Sequence, residues 1–307
     1  MDLVLIQMSA LMLCGACWGV LTPNRLSAEQ TRLVLTSVVY YFFLPAMVLD
    51  VLWQAEIGWQ SLQYSLLGCF GILVSLLLSW LLVRLFKFNK VQTGAVLLAA
   101  AFPNVTYLGL PVLEQIFGSM ARSVVIQIDL FAVAPLVYTL GIMLARHYGE
   151  ADVDEKPKSG WAFFNAPPFW AAFVAVVLNL NHVMPPPWLT GLLQKCSGAV
   201  APLMIFSLGM ALSWRDVRLG NLPYILPVVA IKLFLMPLAA MALIGYTNLP
   251  AQNKAAAVMD IGMPSMILGI VLCDRYKLDS SLYATAVTIT TGLSLLSLPF
   301  WYTLLCG

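Results

Sequence analysis

Apolar residues in this 307-residue chain come in runs long enough to cross a bilayer, separated by short polar punctuation. A helix rises 1.5 Å per residue, so about 20 consecutive apolar residues cover a hydrocarbon core of about 30 Å. Ten such runs are predicted: Leu3 to Leu21, Leu33 to Trp53, Leu62 to Leu85, Val91 to Phe117, Val124 to Arg146, Ala162 to Leu180, Leu189 to Leu212, Leu222 to Tyr246, Ala251 to Tyr276 and Leu282 to Leu305. The pattern predicts an all-α polytopic membrane protein with ten transmembrane helices.

Two of the runs are interrupted. Span 4 reads Phe102-Pro103-Asn104-Val105-Thr106-Tyr107-Leu108-Gly109-Leu110-Pro111, and span 9 reads Asp260-Ile261-Gly262-Met263-Pro264-Ser265-Met266. Proline removes an amide donor and its ring clashes with the preceding turn, so a membrane helix opens at such a point. Pro45, Pro135, Pro227, Pro237 and Pro299 lack the same small and polar neighbours and are read as simple kinks.

The two breaks recur at nearly the spacing that separates Pro45 in span 2 from Pro202 in span 7, which predicts an internal repeat of five spans. Five is odd, so the second copy enters the membrane from the other side and the repeat is inverted. Residues 1–147 form the first copy, 148–160 a cytoplasmic linker rich in Asp, Glu and Lys, and 161–307 the second copy. Pro103 and Pro264 then lie about 18 and 19 Å from opposite surfaces, both near the midplane, where the broken helices cross. The second half-helices start there with free amides and positive dipole ends, a setting that favours an anion and a carboxylate in particular. The candidate substrate-binding residues are therefore Pro103, Asn104, Val105, Thr106, Tyr107, Gly262, Pro264, Ser265 and Met266.

Composition sharpens this picture. Hydrophobic residues make up 61% of the chain and charged ones only 10%, where a soluble domain carries about 25% charged. The loops after spans 1, 3, 5, 7 and 9 hold Arg25, Arg32, Arg84, Lys87, Lys90, Arg146, Lys156, Lys158, Arg215, Arg218, Arg275 and Lys277, whereas the other side holds only Arg122, Lys195 and Lys254. By the positive-inside rule the first set is cytoplasmic and both termini are outside, in a multi-pass protein of the cell membrane. The first span begins with Asp2 in place of a basic region, so it is read as a retained span and not a cleaved signal. The net charge of +2 describes loop asymmetry, and without a basic stripe interleaved with aromatics no nucleic-acid partner is expected. The six cysteines fall in or beside apolar spans with no His cluster, so they are read as packing thiols and no metal site is predicted.

Ionisable residues inside a span are functional candidates because each costs roughly 2.5 to 3.5 kcal/mol to insert. Asp129 in span 5 with its neighbour Gln127, Lys232 in span 8 and Asp260 in span 9 are the coupling or charge-pair candidates. Lys232 either pairs with an aspartate or stands free to attract an anion, and a titrating Asp260 or Asp129 couples transport to H+, with Na+ as the other coupling ion. Asp50 and Glu114, near span ends, are expected to reach water. A pair of membrane aspartates suggests an intramembrane aspartyl protease, but neither Ile-Asp129-Leu nor Met-Asp260-Ile sits in a Gly-x-Gly-Asp setting. His-Glu-x-x-His, P-loop and Gly-x-Ser-x-Gly motifs are absent, so no enzyme is predicted and no cofactor beyond a coupling ion. A receptor or sensor would need a signalling domain, which the sequence does not provide.

With Pro103-Asn104 followed by Leu108-Gly109-Leu110-Pro111 in span 4, and Met263-Pro264-Ser265 followed by Cys273-Asp274-Arg275-Tyr276 in span 9, the whole chain resembles the auxin efflux carrier family and its bacterial members. The resemblance implies a scaffold of spans 1, 2, 6 and 7, a transport domain of spans 3–5 and 8–10, and a homodimer through the scaffold. It also implies a small organic anion, auxin-like or a dicarboxylate, carried by alternating access with Asn104 among its contacts. Ser265 stands in span 9 where an amide would match more closely, and the long central loop of many plant members is missing. A sodium-coupled bile-acid-type carrier or an ion exchanger of similar architecture is the alternative.

Overall fold

The fold is known from a computed structural model that describes residues 2–21, 27–55, 57–150, 166–211 and 219–307. In chain order the helices are α1 (Asp2–Leu21), α2 (Ala28–Trp53), α3 (Trp59–Leu85), α4 (Lys90–Ala101), α5 (Val105–Phe117), α6 (Ser119–Tyr148), α7 (Pro167–Leu180), α8 (Pro187–Ala211), α9 (Leu222–Ile244), α10 (Ala251–Ile261), α11 (Gly269–Tyr276) and α12 (Ser280–Cys306). Among the described residues there is no strand beyond one isolated bridge. Six of the helices, α2, α3, α6, α8, α9 and α12, are long and apolar enough to cross a membrane. Helices α2, α3 and α6 begin several residues before the apolar runs of spans 2, 3 and 5, and α7 begins at Pro167 within the run of span 6. Most of the expected linker, together with Arg215 and Arg218, lies outside the described residues.

Three of the prolines expected to act as plain kinks, Pro45, Pro135 and Pro237, do something more regular, and so does Pro111 of span 4. Before Pro45, Pro111, Pro135 and Pro237 the backbone widens for one turn, so that the residue preceding each proline donates five residues back: Leu44 to Val39, Leu110 to Val105, Ala134 to Asp129 and Met236 to Ile231. Proline cannot donate and its ring pushes on the carbonyl four residues behind; a π-turn moves that carbonyl aside without breaking the helix. Pro202, Pro227 and Pro299 sit inside their helices without such a turn at the preceding residues.

The helices pack in two groups. Helices α1, α2, α7 and α8 lie on one another, and α3 to α6 pack with α9 to α12. In the first group α1 and α8 approach backbone to backbone: a Cβ on Gly15 would strike the Phe206 carbonyl, and one on Gly209 the Met12 carbonyl. Small residues at a crossing permit this approach where lipid supplies no hydrophobic drive. Asn179 of α7 caps the end of α2, its side-chain amide donating to the carbonyls of Trp53 and Ala55 at 2.8 Å, and the Trp53 indole donates to Val183 at 2.7 Å. In the second group the Trp301 indole donates to the Leu233 carbonyl at 2.8 Å, inside the π-turn of α9. Gly118, at φ +77°, makes the reversal between α5 and α6 that a side chain would strain. Large apolar side chains such as Leu73, Leu77, Phe173, Leu296 and Phe300 face outward. So much exposed apolar surface on an otherwise well-packed helical core fits a polytopic membrane protein.

Candidate functional site

The two interruptions face each other. Pro103 and Ser265 form an antiparallel bridge in which the Asn104 amide donates to the Pro264 carbonyl at 2.8 Å and the Met266 amide to the Phe102 carbonyl at 3.1 Å. Opening a helix orphans its last carbonyls, and an apolar interior supplies no water to satisfy them. Here those of α4 are taken one by one. Ser265 Oγ donates to Ala99 at 2.7 Å, Ser75 Oγ of α3 to Ala100 at 2.5 Å, and Lys232 Nζ of α9 to Ala101 at 3.3 Å. A cation there also complements the negative end of the half-helix dipole. On the other strand of the bridge, Tyr283 Oη donates to the Met266 carbonyl at 2.8 Å, and the Thr290 hydroxyl accepts from the Ser265 amide at 3.2 Å.

Beyond the break α5 starts afresh. The Asn104 carbonyl accepts from the Leu108 and Gly109 amides at 3.2 and 3.0 Å, whereas its side chain makes no capping bond. That side chain is 2% exposed, and its Nδ2 has no hydrogen-bond partner. The amides of Val105, Thr106 and Tyr107 enter no backbone hydrogen bond among the described residues. This end of α5 forms one wall of a cavity of about 660 Å³, to which Pro103, Asn104, Val105, Thr106, Tyr107 and Met266 all contribute. The remaining walls are the middle of α2 with Tyr40, the middle of α6 with Asp129 and Tyr138, the start of α7, and α11 with Arg275 in its last turn. Gly262, Pro264 and Ser265 do not line the cavity; Ser265 is fully buried and its hydroxyl is used by the Ala99 carbonyl.

The charged candidates separate by position. Asp129, partly buried, lines the cavity, and one of its carboxylate oxygens accepts from Thr106. Lys232 is fully buried and, besides Ala101, reaches Met236 Sδ at 3.1 Å. Among the described residues it forms no direct ion pair with either aspartate. Asp260 is fully buried with both carboxylate oxygens unpartnered. It lies against Gly109 of α5, where a Cβ would collide with its Oδ1. Gln127 is buried, with Nε2 on Ser123 Oγ at 2.8 Å, and does not line the cavity.

Asp50 and Glu114 do not reach out to water as expected. Asp50 is buried and accepts from Ser197 Oγ of α8 at 3.1 Å, because α7 and α8 cover that face of α2. Glu114 pairs with Arg122 across the Gly118 turn. Sequence reasoning missed Tyr40, Tyr138 and Arg275 as cavity residues. The tyrosines are polar rings within apolar runs, a weak signal, and Arg275, although part of the span 9 motif, counts in the sequence only as one more loop cation.

Comparison with known proteins finds membrane transporters similar to this chain along most of its length. The family model described as membrane transport protein matches residues 4–302. An uncharacterized transporter of Methanothermobacter thermautotrophicus is 30% identical over 278 residues, covering 89% of each chain. One of Methanocaldococcus jannaschii is 27% identical over 282 residues, again 89% of each chain, and one of Escherichia coli strain K12 is 24% identical over 286 residues, 90% of this chain and 88% of that one.

Proposed function

The chain belongs to the membrane transport protein family, the auxin efflux carrier-like group its motifs resemble, and on that premise we propose that it is a secondary active carrier of small organic anions. The observation that carries this reading is Asn104: a buried side-chain amide with no partner, beside a cavity and next to the free amides that open α5. An unpartnered buried amide costs free energy, and a carboxylate in the cavity would satisfy it together with the Val105 and Thr106 amides. The dipole of α5 adds to the attraction.

The working cycle is alternating access across ten spans in two inverted halves. Spans 4 and 9 are the pairs α4–α5 and α10–α11, crossing near the midplane at the Pro103–Ser265 bridge. Helices α1, α2, α7 and α8 serve as scaffold and the remainder as transport domain, a division supported by the way the two groups pack. The cavity lies between the middle parts of α2 and α6, the start of α7 and α11 as far as Arg275, and we read its mouth as facing the side of the basic loops, the cytoplasm. Contacts of α5 with α1 and α8, and of the first part of α6 with the end of α2, close the other side. The protein works as a homodimer through its scaffold, and H+ or Na+ couples the flux.

Counterflow in proteoliposomes loaded with unlabelled monocarboxylates, dicarboxylates or aromatic acids tests the reading. Labelled acid should accumulate for at least one class, and repeating the assay with Na+ replaced and with the pH gradient collapsed identifies the coupling ion. Absence of counterflow for every acid, with the protein shown to be folded in the vesicles, would overturn it.

A further inference from the structure

The cavity that holds Asn104 also holds an anionic side chain. Among the described lining residues the carboxylate is Asp129, bonded to Thr106 of the break, and the cation is Arg275, in the last turn of α11. Thr106 donates to one Asp129 oxygen and lies only two positions after Asn104 on the same turn. The donors for a substrate carboxylate and an acceptor carboxylate are therefore neighbours on one wall. A ligand carrying only negative charge would be drawn to the Asn104 amide and the start of α5 and repelled by Asp129 a short distance away. Tyr40, Tyr107 and Tyr138 line the same space, and the face of an aromatic ring attracts a cation.

We propose that the substrate is zwitterionic: a small acid bearing an ammonium group, its carboxylate on Asn104 and the α5 amides and its ammonium on Asp129. This rests on the carboxylate site of the proposed carrier and adds an ammonium to its ligand, which makes the substrate a zwitterion in place of a net anion. The site then discriminates against plain acids by leaving Asp129 unpaired beside the bound carboxylate. Satisfying both groups calls for both charges on one molecule.

The test is a binding ladder on the purified wild-type protein, using propanoate, lactate and alanine, and in parallel 3-phenylpropanoate, 3-phenyllactate and phenylalanine. In at least one series the amino acid should bind about tenfold or more tighter than the plain acid, with the hydroxy acid between. Asp129→Asn still offers an acceptor to Thr106 and should erase that preference, the amino acid falling to the affinity of its plain acid. Plain acids binding as tightly as their amino counterparts in the wild-type protein would overturn the proposal and leave the carrier reading intact. Failure of all six acids to bind would overturn the proposal, and the carrier reading falls with it only where the counterflow panel, dicarboxylates included, fails as well. The wild-type ladder decides even where the variant fails to fold.

Discussion

At the scale of single residues, Asn104 and Ser265 part company. Both follow a proline in a broken helix and both are legible in the sequence as polar groups at a break. The structure gives the serine hydroxyl to the Ala99 carbonyl and leaves the asparagine Nδ2 unpartnered at the cavity. Ser265→Ala orphans a buried carbonyl, which costs about 1 to 3 kcal/mol. It should lower the melting temperature while leaving substrate affinity within about twofold, as thermal melts and equilibrium binding on one preparation will check. Asn104→Asp should abolish anion binding by placing a second negative charge where the carboxylate sits; retained affinity would mean the anion lies elsewhere. The sequence did not distinguish the two roles, because which hydroxyl meets which carbonyl depends on how α4 and the second break lie together.

Among the helical elements, the governing feature is how the ends of broken helices are satisfied. Proline positions and the breaks themselves were readable from sequence. The π-turns before Pro45, Pro111, Pro135 and Pro237 were not, since a kink and a widened turn share the same local signature. Nor was the destination of Lys232 readable: spacing places it mid-span, but only packing sends it to the end of α4. Lys232 and Asp260 are both fully buried without a direct pair, and opposite charges in an interior that screens little attract one another over a distance. A double-mutant cycle of Lys232→Met and Asp260→Asn should show a coupling of about 0.5 to 3 kcal/mol, the double variant being more stable than the sum of the singles. Strict additivity would show that the two charges do not sense each other. Gly109→Ala places a methyl group on the buried Asp260 carboxylate and 3.2 Å from Met263 Cγ. Neither can swing into water, so this one-carbon change should lower both the melting temperature and the uptake rate. A Gly109→Ala protein with wild-type melting and uptake would show that α5 and α10 are not tightly apposed there.

For the whole molecule, hydropathy sufficed to predict an all-helical membrane protein, and the residues around Pro103 and Pro264 sufficed to point to its family. The grouping of α1, α2, α7 and α8 against the rest was implied by resemblance, not by any local pattern, because it depends on contacts between distant spans. Orientation is testable by itself: cysteine labelling at Asp154 and Gly307 should report cytoplasm and outside respectively, and a shared side would mean an odd error in the span count. The central claim is that a carboxylate binds at Asn104 beside the paired breaks. Equilibrium binding and thermal melting of purified wild-type and Asn104→Ala protein, with the acid that wild-type binds best, test it most directly. Losing one hydrogen bond to a charged group costs about 1.5 to 3 kcal/mol, so affinity should fall at least about tenfold. Melting without ligand should barely change, because that side chain makes no capping bond to lose. Wild-type affinity in the variant, or a lowered melting temperature with affinity unchanged, would contradict the account.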